Sequence, residues 1–539
     1  MTPARTQLGL ALLLGLAAFA LYSRSLWSGF VYDAEAQIQY DSYIHTPAHF
    51  ADVASLRVVG QDVLDGTRPV HLFFLMTDSL VWGRNPFGYH LTSNLLHAFN
   101  TALLFLLLAR LGAEISPTQS AQRVWMAAAA GTLIFIAHPM LVEPISEVSD
   151  REDPLALFFT LAALSFAIHF PCGSQLRTIA CGAACVVSAF LAAASKESGF
   201  VVPLILALFA WIFRGAKPHR AWGILLAAVF VVVGSFVVAR FALPPEVSKI
   251  FPQKPQYIGG SLGAVLQLEP RVWVFLFSKV AWPLHLSADY MPQDVAAIFP
   301  LHFPAEYTPQ TITWILFTCA IAVLAVLLAV QTILSLKSRL ALLGTSIFWL
   351  GLAPVSNFIP LFRPVADRFF YMPMAGIAAT VCAALLLAQR KRFFQIAGGA
   401  IFLIAIALGC LAWQRQAVFA NPLNLWRDTT ANSPNSWTAA DNLGYALGDA
   451  GDYDGALKAF GRALQLTNEK QPDPWAGAAM ILERMGRHGD AGTVLQKAIA
   501  LDPRYARPQE LVEAVTMNPE DAAEIEKILE RSRQPAPGQ

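Results

Sequence analysis

At 539 residues the chain has room for several domains, yet 55% of it is apolar and only 14% charged, whereas soluble domains carry about a quarter charged residues. A net charge of +1, with no clustered basic surface, excludes an electrostatic nucleic-acid binder. The composition is that of a membrane protein, and the expected fold class is all-α.

The first element follows a single cation, Arg5, and runs from Leu8 to about Leu21. It has the flavour of a signal peptide, but no Ala-x-Ala site and mature soluble domain come next, so a retained span is expected. Apolar segments able to cross about 30 Å then recur. They lie near 8–26, 89–110, 122–141, 154–170, 178–195, 199–213, 221–241, 311–334, 340–361, 369–389 and 393–413, about eleven crossings by length. The six cysteines (Cys172, Cys181, Cys185, Cys319, Cys382 and Cys410) sit in or beside these runs without C-x-x-C spacing. They read as small apolar residues.

Charge sets the orientation. With Arg5 inside, the cytoplasmic loops receive Arg110, Arg123, Arg177, Arg214, Lys217, Arg220, Lys337, Arg339 and the run Arg390-Lys391-Arg392. The other loops receive Asp33, Glu35, Glu143, Glu147, Asp150, Asp153, Glu197, Asp289 and Asp367, with Glu114 the exception. Two amphipathic segments, 68–83 and 262–286, would invert every later loop if either alone crossed. They are expected to lie in the outer interface, anchored by Trp82, Trp273 and Trp282. The topology is then N-terminus in and C-terminus out.

After about residue 415 the composition turns polar. Leu443, Gly444, Gly451, Tyr453, Ala456, Phe460, Ala463 and Leu464 fall at the small and large positions of a tetratricopeptide repeat. Trp475, Leu482, Gly486, Ala491, Leu495, Ala498 and Pro503 repeat that register about 34 residues on. Leu425-Trp426 through Pro434 reads as the second helix of an incomplete earlier repeat, 507–531 as a closing helix and 532–539 as a disordered tail. The expected domains are 1–414 in the membrane and 415–531 as the repeats, which either bind peptide or only cap the outer face.

Charged groups beside spans are candidates for function. Asp33 follows the first span by a few residues, though a loop acid is as readily a solvated surface group. On the second span His90, Asn94, His97 and Thr101 form one polar stripe, either lining a cavity or hydrogen-bonding between helices. His138, Glu143, Glu147, Ser149, Asp150, Arg151 and Asp153 crowd the outer end of the next two. They could hold a divalent metal, but rigid ligand spacing is missing and ion pairing around Arg151 is the simpler account. Lys196, in Ser195-Lys196-Glu197, and Arg368, after Asp367 and near Arg363, break the positive-inside trend. Outer cations suit a lipid-linked phosphate; pairing with Glu197 and Asp367 is the structural alternative.

In order, these residues resemble the transmembrane and tetratricopeptide-repeat protein O-mannosyltransferases and their bacterial relatives, of the GT-C glycosyltransferase fold. The motifs are Gly29-Phe30-Val31-x-Asp33, Arg68-Pro69, and Gly88-Tyr89-His90-Leu91-x-x-Asn94-Leu95-Leu96-His97-x-x-Asn100. His138-Pro139-x-x-x-Glu143, Ser149-x-Arg151-x-Asp153 and Ser195-Lys196-Glu197 follow. Trp282-Pro283-x-x-Leu286-Ser287-x-Asp289-Tyr290 and Asp367-Arg368-x-x-Tyr371-x-Pro373 complete the set. Three positions depart from the family pattern: Ala34 for a second acid, Asp150 for a glycine and Phe369 for a tyrosine.

The resemblance implies a GT-C-type membrane domain that moves mannose or another hexose from a polyprenyl- or dolichyl-phosphate donor to a Ser or Thr of a protein. Transfer would occur on the non-cytoplasmic face, with inversion at the sugar carbon. Asp33 is then the expected base, with Glu35 a substitute for the missing acid, and Lys196, Arg368 and Arg151 the phosphate-binding cations. Arg68 and His138 would hold sugar or loop geometry. His90, His97, Glu143, Asp153, Glu197, Asp289, Asp367 and Tyr371 would complete the site. No cofactor is obligatory on this reading, no metal is assigned, and the acid cluster leaves a divalent cation open. Partners would be membrane lipid, the lipid-linked donor and an acceptor protein held in the repeat groove, with no nucleic acid. The expected location is a bacterial inner membrane with the repeats periplasmic, or the endoplasmic reticulum in a eukaryote. The rivals are a lipid-linked sugar transporter, which would show paired repeats of broken helices, and a non-catalytic scaffold.

Overall fold

The computed structural model describes residues 3–215, 220–244, 260–291, 309–361 and 363–533, with 248, 250 and 257 as isolated positions. Every regular element among the described residues is helical. Nine helices there are long and apolar enough to cross a bilayer, from Ala4–Trp27 and Pro86–Ile115 through to Asp367–Leu387 and Lys391–Ala420. A tenth arises if Ala121–Ala137 and Pro139–Ser146, bent by 58° at their junction, count as one. The bend has a local cause. Pro139 lacks the N–H that a continuing helix needs, and His138 Nδ1 accepts instead from Met140 N at 3.3 Å.

The ninth expected segment, 340–361, is shorter than its apolar run suggests. It forms the apolar helix Arg339–Val355, whose α-helical part stops at Leu352, just before the residue preceding Pro354. Pro69–Trp82 and Leu262–Ala281, expected along the interface, are helices outside the spanning set. The first, with 14 residues, reaches only about 21 Å at 1.5 Å per residue. The chain is thus a multi-spanning membrane protein. Its outer helices present Leu12 at 58% and Leu403 at 66% exposure, surfaces that lipid covers at no cost.

Within the bundle, close approach relies on small residues. A Cβ on Gly344 would lie 2.7 Å from Gly376 O, so the two helices pack backbone to backbone there. The polar stripe of Pro86–Ile115 faces inward. Asn94 Nδ2 donates to Tyr22 O at 3.1 Å, and Asn100 Nδ2 donates to Pro154 O at 2.9 Å. It is a packing seam between helices, the alternative to a cavity lining.

The charges separate to opposite ends of the bundle. The one acid that broke the pattern, Glu114, pairs with Arg214 at 2.9 Å. Arg214 also donates to Ile168 O at 2.9 Å. The remaining acids converge at the other end, where the C-terminal helices attach.

Those helices pack in pairs, Trp437–Asp449 with Tyr453–Leu466 and Asp473–Arg484 with His488–Leu501. Gly451 turns the first pair at φ +81°, a conformation glycine adopts without steric penalty. Phe460 fills the space between repeats, fully buried and edge-on to Tyr445 at 5.1 Å. Pro422–Asn432 precedes them. The expected closing helix is interrupted. Gln509–Glu513 ends before Val515 at φ +54°, and Pro519–Arg533 then packs on the second pair. Positions 534–539 of the expected tail lie outside the described residues.

Candidate active site

The loop after the first span is pinned at both ends. Gly29 N donates to Ala420 O at 3.0 Å, and Ala34 N donates to Glu147 Oε1 at 3.1 Å. Ala34 itself is 1% exposed, so position 34, where the family carries a second acid, supplies a backbone contact here. Tyr32 adopts φ +56°, strained for an aromatic residue and the kind of outlier that clusters at functional sites. Two contacts hold it. Arg363 lies over its ring at 5.3 Å, and Trp426 stands edge-on at 5.2 Å.

That geometry leaves Asp33 exposed to water. Its carboxylate forms no hydrogen bond or ion pair with any described residue. Protein atoms nonetheless crowd around it, and desolvation raises its pKa above the usual carboxylate range. Arg363 and Arg368 oppose that shift, while Asp65 and Glu152 reinforce it. Glu147, which anchors the loop, is raised further by burial and by Asp150.

Around this open acid, Glu147 apart, the remaining charges are paired. Lys196, 3% exposed, bonds Asp153 at 2.5 Å and Glu152 at 2.8 Å. Arg368 bonds Glu143 at 2.6 Å and Asp150 at 3.2 Å. Arg68 reaches Glu152 at 2.6 Å, Asp65 at 2.7 Å and Glu197 at 3.1 Å. Glu197 is shared with Arg240, and Asp289 pairs with Arg363. Asp367 accepts from Tyr290 Oη at 2.9 Å and pairs with Arg415 at 3.3 Å. Arg363 is the most open of these site cations, its side chain 28% exposed.

The structure therefore gathers Asp33, Arg68, Glu143, Asp153, Lys196, Glu197, Asp289, Asp367 and Arg368 at one end of the bundle. Five other expected residues, Arg151, His90, His97, His138 and Tyr371, lie in packing positions. Arg151 is fully buried, donating to Asp78 at 2.5 Å, Ser93 at 3.0 Å and Tyr89 O at 2.6 Å. With all three guanidinium nitrogens engaged, it is placed to tie helices together, not to meet a phosphate. His97 Nδ1 meets Tyr371 Oη at 2.8 Å. His90 Nε2 meets Gly29 O at 3.3 Å and His138 Nε2 meets Val280 O at 3.0 Å. Glu35 faces a neighbouring cavity against the repeats.

One group of three ligand-bearing side chains converges among the described residues. Atoms of Asp65, His71 and Glu152 lie within 4.8 Å of one another. Arg68 already bonds both carboxylates, so a dication would meet a resident positive charge there.

Sequence reasoning missed Glu152, Arg240 and Arg415. Arg240 carried a usable signal, because it ends the apolar run 221–241 on the side assigned to acids. Glu152 sits between two residues of a recognised motif and had none.

Comparison with known proteins bears on this arrangement. The tetratricopeptide-repeat family model matches residues 449–515. Protein O-mannosyl-transferase Tmtc2 of Drosophila melanogaster is 30% identical over 50% of this chain and 28% of its own length. Protein O-mannosyl-transferase TMTC4 of Mus musculus is 24% identical over 83% of this chain and 65% of its own. For TMTC3 of Homo sapiens the figures are 23%, 86% and 52%. The chain thus spans between 28% and 65% of the length of these relatives. Among solved structures, ArnT from Cupriavidus metallidurans bound to undecaprenyl phosphate aligns with TM-score 0.42 and 14% identity, over 96% of this chain and 88% of that one. By sequence, the chain is similar to the TMTC-type O-mannosyl-transferases, with tetratricopeptide repeats following its membrane helices.

Proposed function

We propose that this protein is a membrane glycosyltransferase that moves a hexose, mannose in the first instance, from a polyprenyl-phosphate donor to a serine or threonine hydroxyl of a polypeptide. The observation that carries the reading is the unpaired, water-accessible Asp33 carboxylate beside Arg363 and Arg368 at the end of the helix bundle. Its raised pKa suits a general base, which works best when its proton affinity approaches that of its medium.

In the step proposed, Asp33 takes the acceptor hydroxyl proton as that oxygen attacks the anomeric carbon. The bond from that carbon to the phosphate oxygen breaks with inversion, and its electron pair leaves on the polyprenyl phosphate. The leaving group gains a negative charge, which fixed cations stabilise. Arg363 and Arg368 are the candidates nearest the base, with Lys196 behind them. The reading needs no resident cofactor. Since acids gather where the positive-inside rule puts the outer face, Asp33 and the repeats would lie in the periplasm of a bacterial inner membrane, or in the lumen of the endoplasmic reticulum.

The test is transfer in membranes holding the full chain, supplied with polyprenyl-phosphate mannose and a Ser/Thr peptide. Asp33→Asn should lower the rate by about 10²-fold or more. Undiminished transfer by that variant would remove Asp33 as the base. Failure of the unaltered protein to transfer from any lipid donor would favour a non-catalytic scaffold.

A further inference from the structure

Beside Asp33, Tyr32, Glu35, Ala36 and Tyr40 of the loop after the first span line, together with residues of the repeats, a cavity of about 370 Å³. Five carboxylates line it: Glu35, Asp441, Asp449, Asp473 and Asp521. No lysine, arginine or histidine lines it. One of the five points to an absent ligand. Asp441 is 6% exposed and its Oδ1 has no hydrogen-bond partner. A carboxylate oxygen desolvated without a partner is costly, and it lies on the wall of an open cavity.

We propose that this cavity receives a lysine- or arginine-bearing stretch of the acceptor polypeptide, so that hydroxyls are chosen for transfer by a cationic neighbour in sequence. The inference rests on the glycosyltransferase reading for its purpose, but not for its geometry. Charge complementarity names the occupant. Arg484, outside the lining, pairs with Asp449 at 3.1 Å; five carboxylates against that one cation leave a deficit that an ammonium or guanidinium group fills. Trp437 and Tyr445 on the same wall offer aromatic surface to the stem and head of such a side chain.

A metal ion fits less well. The cavity contributes no set of three ligand atoms close enough to share one ion, the converging set among the described residues being Asp65, His71 and Glu152. The groups also repel one another while empty. After burial itself, Asp449 and Asp521 raise Glu35 to about 7, Asp449 raises Asp521 to about 6 against the opposing pull of Arg484, and Asp473 holds Asp441 well above the usual range. A bound cation relieves that repulsion.

Position links the cavity to the chemistry. Glu35 follows Asp33 by two residues, at most about 7 Å along the backbone. Tyr32 borders the cavity and carries Arg363 on its ring. A chain lying in the cavity therefore passes beside the proposed base.

The test uses the full chain in lipid nanodiscs and fluorescent peptides of one length, each with a single serine flanked by Lys, Gln or Glu. Fluorescence anisotropy should show the Lys peptide binding about tenfold or more tighter than the Gln peptide, with the Glu peptide weakest and the preference shrinking as salt rises. Asp441→Asn combined with Asp521→Asn should cut that preference to about threefold or less, with helical content unchanged by circular dichroism. A photo-crosslinker beside the lysine, used on the unaltered protein, should mark Asn442 or Tyr445. This arm stands even if the double variant fails to fold.

Equal binding of the three peptides, or crosslinks confined to other regions, would overturn the proposal. So would saturable displacement of the Lys peptide by Ca²⁺ at matched ionic strength, which would make the cavity a dication site. Because binding needs no sugar donor, a charge preference without any transfer would support the cavity assignment and sink the enzymatic reading instead.

Discussion

Arg151 and Asp78 meet at 2.5 Å where the arginine side chain has no exposed surface. Removing one partner of such a pair leaves the other charged and desolvated. Arg151→Met should therefore cost about 3–5 kcal/mol of stability, with Asp78→Asn in the same chain restoring much of it. In protein that survives, the KM for lipid donor should stay within about threefold of the original. A donor KM raised tenfold in the stable double variant would return Arg151 to the phosphate-binding set.

Lys196 stands between Glu152 and Asp153, so its loss alone confounds folding with chemistry. Lys196→Gln should destabilise through the two acids left behind, whereas Lys196→Gln with Asp153→Asn should melt close to the original protein. If Lys196 also meets the leaving phosphate, that stable double variant should still transfer sugar about tenfold or more slowly. Full activity in it would confine Lys196 to ion pairing.

Glu35 gives a pH signature. Burial, then Asp449 and Asp521, push its carboxyl up to about 7. The native state keeps this proton where the unfolded chain has released it. This contribution to stability is therefore greatest below the ordinary glutamate range and declines as pH climbs to about 7. At about 1.4 kcal/mol per unit the ceiling is about 3 kcal/mol, reduced by water around its partly exposed carboxyl. Glu35→Gln should flatten the pH dependence of the melting temperature between about 4.5 and 7. An unchanged slope would place the titrating group elsewhere.

Phe460 is the keystone of the first repeat, fully buried beside Tyr445. Phe460→Ala should cost the repeats about 3–5 kcal/mol. Hydrogen exchange should then quicken across Trp437–Leu466 while Pro86–Ile115 keeps its protection. Equal loss in both regions would mean that the two parts unfold as one.

Spans, repeats and the end at which the acids gather were legible in the chain because each follows from local composition. Lys196 stood out as an outer cation for the same reason. The shortfall at 340–361 came from weighing apolar length over Pro354, which ends the helix early. Site assignments were harder. Whether Arg151 meets a phosphate or Asp78 depends on a partner 73 residues away, and Arg68 is matched to Glu197 across 129. Periodicity cannot report such pairings. The stripe of His90, Asn94 and His97 was visible, but its purpose as a seam appeared only with Tyr22, Gly29 and Tyr371 in place.

Asp289 accepts from Ser436 of the first repeat while pairing with Arg363, and Ser433 Oγ donates to Ser287 Oγ at 2.9 Å. The repeats are therefore not an interchangeable attachment. A foreign array grafted after Ala420 would have to bring two hydroxyls to the same places, or leave the partner of Arg363 short of a bond. Tail and membrane helices are in that sense constrained to vary together.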